Sequence, residues 1–173
     1  MDTLSLACRI LLVLVFAVSS TSKLRSGPFD ELRTSVRTAR LLPARVVSPV
    51  LGAMVAAEAT AAVLLVVPTT VRLGAGLAAL LLAAFVVVIV TSARRRTGLT
   101  CRCFGGNGAA LGGRHVARNA MLLVACAVVV AGPGALPQHA ESVALALVAA
   151  TVLAVLVIRL DDLAALALPR ART

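Results

Sequence analysis

Five stretches of this chain are each long and apolar enough to cross a lipid bilayer, and that limits its folds more than any other feature. They run over about Leu4–Ser22, Val46–Pro68, Val71–Ala93, His115–Gly132 and Ser142–Leu160. A helix needs about 20 mostly apolar residues to span the hydrocarbon, because each residue rises about 1.5 Å. The apolar residues run continuously and do not alternate, so a closed barrel is excluded and helices remain. The expected architecture is all-α integral membrane: one membrane domain over residues 1–173. It is a helical bundle of about five transmembrane helices with a short interfacial amphipathic helix.

Composition agrees. Hydrophobic residues make up 60% of the chain and charged ones 14%, whereas a soluble domain has about half and a quarter. Trp and Tyr are absent, so no aromatic belt marks the membrane interfaces. A net charge of +10 would suggest nucleic acid in a soluble protein. Here the expected partner is membrane lipid, and the arginines read as a topology signal. The first span has an apolar run longer than the core of a typical cleaved signal and no basic cluster before it, so it is expected to be retained.

Sorting the basic residues by loop makes that signal explicit. Six fall between the first two spans (Lys23, Arg25, Arg33, Arg37, Arg40, Arg45) and six between the third and fourth (Arg94, Arg95, Arg96, Arg102, Arg114, Arg118). Arg159, Arg170 and Arg172 lie at the C-terminal end, and with five spans all three groups share one face. The opposite face has only Arg9 and Arg72. By the positive-inside rule the N-terminus is expected outside, with both long loops and the C-terminus in the cytoplasm.

The first of these loops is expected to hold the amphipathic helix. Gly27-Pro28 would start it, and Asp30 and Glu31 would occupy its first turn, where acids suit the dipole. Phe29, Leu32 and Val36 recur at helical spacing while Arg33, Arg37 and Arg40 face elsewhere, which suits a helix lying in the membrane interface. Pro43 would end it; the alternative is a solvated basic loop held by anionic lipid.

Cys101-Arg102-Cys103-Phe104-Gly105-Gly106-Asn107-Gly108 is the most distinctive run in the chain. Neighbouring positive charge favours the reactive thiolate. A disulfide between residues so close in sequence closes a small strained ring, and strained exposed disulfides are the labile ones. The pattern therefore suits thiol–disulfide exchange better than static bracing, with Phe104 able to anchor the loop. Two reduced, inert thiols or half of a metal site remain open, although zinc normally takes four ligands and no metal ligand set is assigned.

Glu58 falls near the middle of the second span, where an ionisable group is costly and functional by default. It must be neutral or paired with a cation, and a neutral acid bonded to a neighbouring helix is the structural alternative. Arg118 and Asn119 open the fourth helix and Lys23 closes the first, at the end from which the cysteine loop emerges. They could orient the thiols or hold an anion. Each could instead snorkel to headgroups, the simpler reading for Lys23. Cys8 and Cys126 lie within spans, where lone cysteines are mostly small packing residues; a relay from the loop to them is the weaker alternative. His115 reads as interfacial.

Gly52 with Ala56, Ala53 with Ala57 and Ala61, and Gly74 with Ala78 are spaced for close helix packing. No Walker loop, dinucleotide fingerprint, HExxH or GxSxG is present, which argues against an ordinary metabolic enzyme.

Together these residues resemble the methylamine-utilisation MauE family of DoxX-like membrane proteins. The likeness rests on Phe16 with Ser22-Lys23, on Glu58 after a proline-led helix start, on Cys101-x-Cys103-Phe104-Gly105, and on Arg118-Asn119, over about residues 4–130. It implies a helical-bundle protein of a bacterial cytoplasmic membrane that supports disulfide formation or maturation of a partner, as in methylamine dehydrogenase biogenesis. The implied partner is a thioredoxin-like protein or a disulfide-containing client. Cys101 and Cys103 would be the exchanging thiols, with Glu58, Lys23, Arg118, Asn119, Phe104 and Gly105 shaping the site. The charge pattern puts the cysteines on the cytoplasmic side, whereas disulfides persist mainly outside. Either the loop passes electrons into or across the bundle, or its cysteines act reductively. A quinone or a buried thiol would complete such a path, and the sequence names neither. The rival functions are a non-catalytic scaffold or assembly factor, and a metal or small-solute carrier using Glu58 as its proton site.

Overall fold

The computed structural model describes residues 2–24, 26–38, 43–94, 113–132 and 139–159. The described residues form six helices: α1 (Asp2–Leu24), α2 (Ser26–Thr38), α3 (Ala44–Val66), α4 (Val71–Arg94), α5 (Gly113–Ala131) and α6 (Ala140–Ile158). All except α2 are long and apolar enough to span a membrane; among the described residues the fold is all-helical, that of a multi-pass membrane protein. The second span stops at Val66, before Pro68, because Val67–Thr70 make the turn into α4.

Helix α1 packs against α3 and α5, and α4 packs against the same two, so these four close a ring; α6 lies against α1. Accordingly 56% of α1's apolar stretch is buried and only 22% of that of α6, which makes α1 the hub. Leu12, Val15 and Phe16 of α1 meet Ala61 and Leu65 of α3, Ala75 and Ala78 of α4, and Leu122 and Val129 of α5 in one core. Helix α6 buries a stripe of Ala146, Ala150, Ala154 and Val157. Those small side chains let its backbone come close where lipid provides no hydrophobic drive. Its Leu145, Val148, Val152 and Val155 stay exposed, as lipid-facing residues should.

Helix α2 confirms the amphipathic pattern and corrects its start. It begins at Ser26, so Asp30 and Glu31 fall beyond the first turn. Leu32 and Val36 are buried against Val47 and Leu51 of α3, with Phe29 and Met54 alongside. Pro43 is the N-cap of α3, and residues 39–42, between it and α2, lie outside the described residues.

At the α3–α4 turn the last carbonyls of α3 are satisfied one by one, as an apolar environment demands. Leu64 accepts from the Thr70 hydroxyl at 2.9 Å, and Leu65 and Val66 accept from Arg9 Nε and Nη2 at 2.6 Å each. Arg9 thus serves as a cationic cap from a different helix, placed where the α3 dipole is negative. These contacts run α1 antiparallel to α3 and place Arg9 at one end of the bundle.

Of the small-residue pairs, Gly74 and Ala78 are buried in the bundle while Gly52 and Ala56 are exposed. A Cβ on Gly74 would come 2.7 Å from the Leu65 backbone nitrogen, whereas one on Gly76 would meet nothing within 4 Å. We therefore expect Gly74→Ala to destabilise the protein by about 1–3 kcal/mol through overpacking and Gly76→Ala to leave it unchanged. Unfolding in mixed detergent micelles measures both, and equal stability of the two variants would contradict the packing.

Candidate functional site

At the other end of α1 lies a buried ion pair. Lys23 sits in the last turn of the helix, and Cβ atoms on a helix tilt toward its N-terminus. Its ammonium is therefore directed back into the bundle. Nζ donates to Glu58 Oε1 at 2.5 Å and to Ser19 Oγ, one turn earlier, at 3.1 Å. The Ser19 hydroxyl donates to Glu58 Oε2 at 3.2 Å, so both carboxylate oxygens are occupied. Lys23 is 2% and Glu58 1% exposed. The Lys23 ammonium also sits 5.2 Å from the centre of the Phe85 ring on α4, within cation–π range.

Snorkelling of Lys23 is therefore not what the structure shows. The alternatives for Glu58 resolve in favour of a partner cation. Helix spacing explains the assembly: Leu51, Val55, Ala61 and Leu65 share the buried face of α3 with Glu58, and Phe16, Ser19 and Lys23 follow one another along α1 at spacings of three and four.

Arg118 and Asn119 are buried in the second turn of α5, and the Arg118 guanidinium repels the Lys23 ammonium electrostatically. Four helices thus contribute to one end of the bundle: Ser19 and Lys23 from α1, Glu58 from α3, Phe85 from α4, and Arg118 and Asn119 from α5. Helix α4 arrives here from its turn beside Leu65, and α5 leaves toward the Arg9 end, where Gly132 abuts Ser5 of α1. Residues 95–112 join α4 to α5 at the Lys23 end. Cys101, Cys103, Phe104 and Gly105 belong to that segment and lie outside the described residues. Cys8 and Cys126 are free thiols within the bundle. His115 is half-buried at the start of α5.

Sequence reasoning missed Ser19 and Phe85. The i to i+4 spacing of Ser19 and Lys23 was a usable signal for the first; Phe85 offered none beyond its aromatic ring.

Fold and site together define a polytopic helical membrane protein built around an intramembrane lysine–glutamate pair. The family model described as Methylamine utilisation protein MauE matches residues 1–132, and the chain belongs to the MauE family. That match covers α1 to α5 and stops before α6. No curated protein and no solved structure matches the chain.

Removing one member of a buried pair leaves an unpartnered charge and costs about 3–5 kcal/mol, whereas replacing both by apolar residues is often nearly neutral. We expect Lys23→Met and Glu58→Leu each to destabilise the bundle by about that much, and the double variant to recover most of the loss. A double-mutant cycle on detergent unfolding measures this; additive losses would show that the two side chains do not act as a pair.

Proposed function

We propose that this protein is a membrane thiol–disulfide exchange protein in which Cys101 and Cys103 are the exchanging pair. The observation that carries this reading is the buried Lys23–Glu58 pair with Arg118 and Asn119, gathered at the end where the cysteine-bearing segment is tethered by both α4 and α5. Cys101 follows Arg94 by seven residues and Cys103 precedes Gly113 by ten. At about 3.5 Å per extended residue, both are within reach of that end. The six basic residues from Arg94 to Arg118 favour a thiolate at the pair.

The exchange balances as follows. The thiolate of one cysteine attacks a partner disulfide, forming a mixed disulfide and releasing one partner thiolate. The second cysteine attacks its neighbour's sulfur, releasing the other partner thiol and leaving Cys101–Cys103 oxidised. Two electrons have moved to the partner; run in reverse, the same steps oxidise a dithiol client and support its maturation. The partner is a thioredoxin-like protein or a disulfide-containing client. The family's description supports a client in methylamine utilisation. The fifteen-to-two distribution of basic residues supports an N-terminus outside and a C-terminus in the cytoplasm of a bacterial inner membrane.

Single Cys101→Ala and Cys103→Ala variants, acid-quenched in cells and labelled with a heavy maleimide, test the reading. One of the two is expected to accumulate a mixed disulfide with its partner, and wild-type thiols to shift between labelled and unlabelled with growth conditions. Permanently free thiols with no trapped partner would sink it in favour of a scaffold. In parallel, alkaline phosphatase fused after Thr173 should be inactive and the same fusion after Thr70 active; the reverse would overturn the orientation.

A further inference from the structure

Helix α2 brings unanswered charge to the place where it packs on α3. Only five residues separate Thr38 from Ala44, so the two helices run back along one another. Leu32 and Val36 of α2 pack with Val47 and Leu51 of α3. Arg33 follows Leu32 and Ser48 follows Val47, so both flank this apolar seam. Arg33 Nε and Ser48 Oγ are shut off from solvent, and neither has a hydrogen-bond partner among the described residues. The hydroxyls of Thr38 and Thr60, on the same two helices, instead bond carbonyls one turn back. A buried donor without an acceptor is costly, so the seam lacks an acceptor group.

Further positive charge rims the seam. Arg37 lies one turn after Arg33 and Arg45 one turn before Ser48, and both are exposed. None of the three arginines has an ion-pair partner among the described residues. From Arg25 to Arg45 five arginines stand against two acids, Asp30 and Glu31. The seam also lies at the right level for lipid headgroups. Lys23, in the last turn of α1, meets Glu58, fourteen residues beyond Ala44. The first turns of α3 therefore extend past the end of α1, and α2 packs on those turns, as an interfacial helix does at the border of the hydrocarbon. We propose that the α2–α3 seam binds the phosphate of an anionic phospholipid headgroup, held by Arg33 and Ser48 with Arg37 and Arg45 at its rim. Arginine suits this acceptor because its planar fork donates two parallel hydrogen bonds to a phosphate. Arg33 and Ser48 are only half-buried as residues, so turning either side chain brings its stranded atom to the rim. A zwitterionic headgroup would set its own cation against the arginines, which favours a lipid of net negative charge.

Such a headgroup would fasten α2 to α3. One residue separates Leu24 of α1 from Ser26 of α2, so the lipid would steady the segment that leaves the Lys23–Glu58 pair. This proposal does not depend on exchange at Cys101 and Cys103.

The full-length protein, in nanodiscs of equal parts phosphatidylcholine and phosphatidylglycerol, is released in a mass spectrometer and the lipid kept by each chain is weighed. The expected result is one phosphatidylglycerol per chain, retained in preference to phosphatidylcholine. Arg33→Gln, Arg37→Gln and Arg45→Gln should each weaken that retention about fivefold, as loss of one basic residue at a lipid surface does. Ser48→Ala should give a smaller loss. Arg72→Gln, exposed at the opposite end of the bundle, should behave as wild type. Circular dichroism checks that each variant is helical; if Arg33→Gln does not fold, the exposed Arg37 and Arg45 variants decide. Equal retention of the two lipids, or a phosphate adduct in place of lipid, overturns the proposal. So does unchanged retention in Arg37→Gln and Arg45→Gln, or an equal loss in Arg72→Gln.

Discussion

A carboxylate in the middle of a membrane span cannot be left alone, and most of the architecture at one end of this bundle follows from Glu58. The charge needs a cation, the cation needs burial beside it, and both need their remaining hydrogen-bonding capacity filled. Lys23 provides the cation, Ser19 spans the gap between the two, and Phe85 lays its ring beside the ammonium. Each comes from a position set by helix register. Three of the four helices in the ring are thereby tied to one charged group, and the fourth brings Arg118 and Asn119 to the same end.

The opposite end of α1 solves a related problem with the opposite charge balance. There the negative partner is the set of carbonyls at the C-terminus of α3, and Arg9 meets Leu65 and Val66 directly. Helix α1 is thus pinned to α3 by a cation at each end: once through a carboxylate and once through a helix dipole. Register between two smooth apolar helices is otherwise weakly set, since van der Waals contacts between Ala, Leu and Val tolerate sliding by a turn. Two polar attachments about 14 residues apart remove that freedom. This explains how a chain with few large side chains in its core can still hold a defined arrangement.

Much of this was legible in the sequence. The spans, the amphipathic helix and the cost of an isolated Glu58 follow from hydropathy, helical spacing and the dielectric of lipid, each of which is local. Partners were harder. Lys23 at a helix end looks like a snorkelling residue until the tilt of its Cβ is combined with the position of α3, which only packing reveals. Arg9 counted merely as a charge on the sparse face, because nothing local says that another helix will end beside it. Ser19 was hidden among Val18-Ser19-Ser20-Thr21-Ser22, where several hydroxyls bond carbonyls of their own helix while Ser19 crosses to α3. Which polar side chain looks inward is a question of rotation about the axis, and it is answered by the assembled ring.

The placement of the charged cluster bears on what kind of chemistry the bundle can assist. Thiol exchange needs an attacking thiolate, and the anionic sulfur is stabilised by fixed positive charge that water cannot screen. A solvated arginine provides that charge only through a high dielectric. On the proposed reading, Lys23, buried in the bundle, would act through a lower one, and Glu58 offsets its charge so that the bundle can bury it. On that reading the intramembrane pair carries a cation into apolar surroundings at the end of the bundle where α4 ends and α5 begins. Its carboxylate makes that charge tolerable in the bundle.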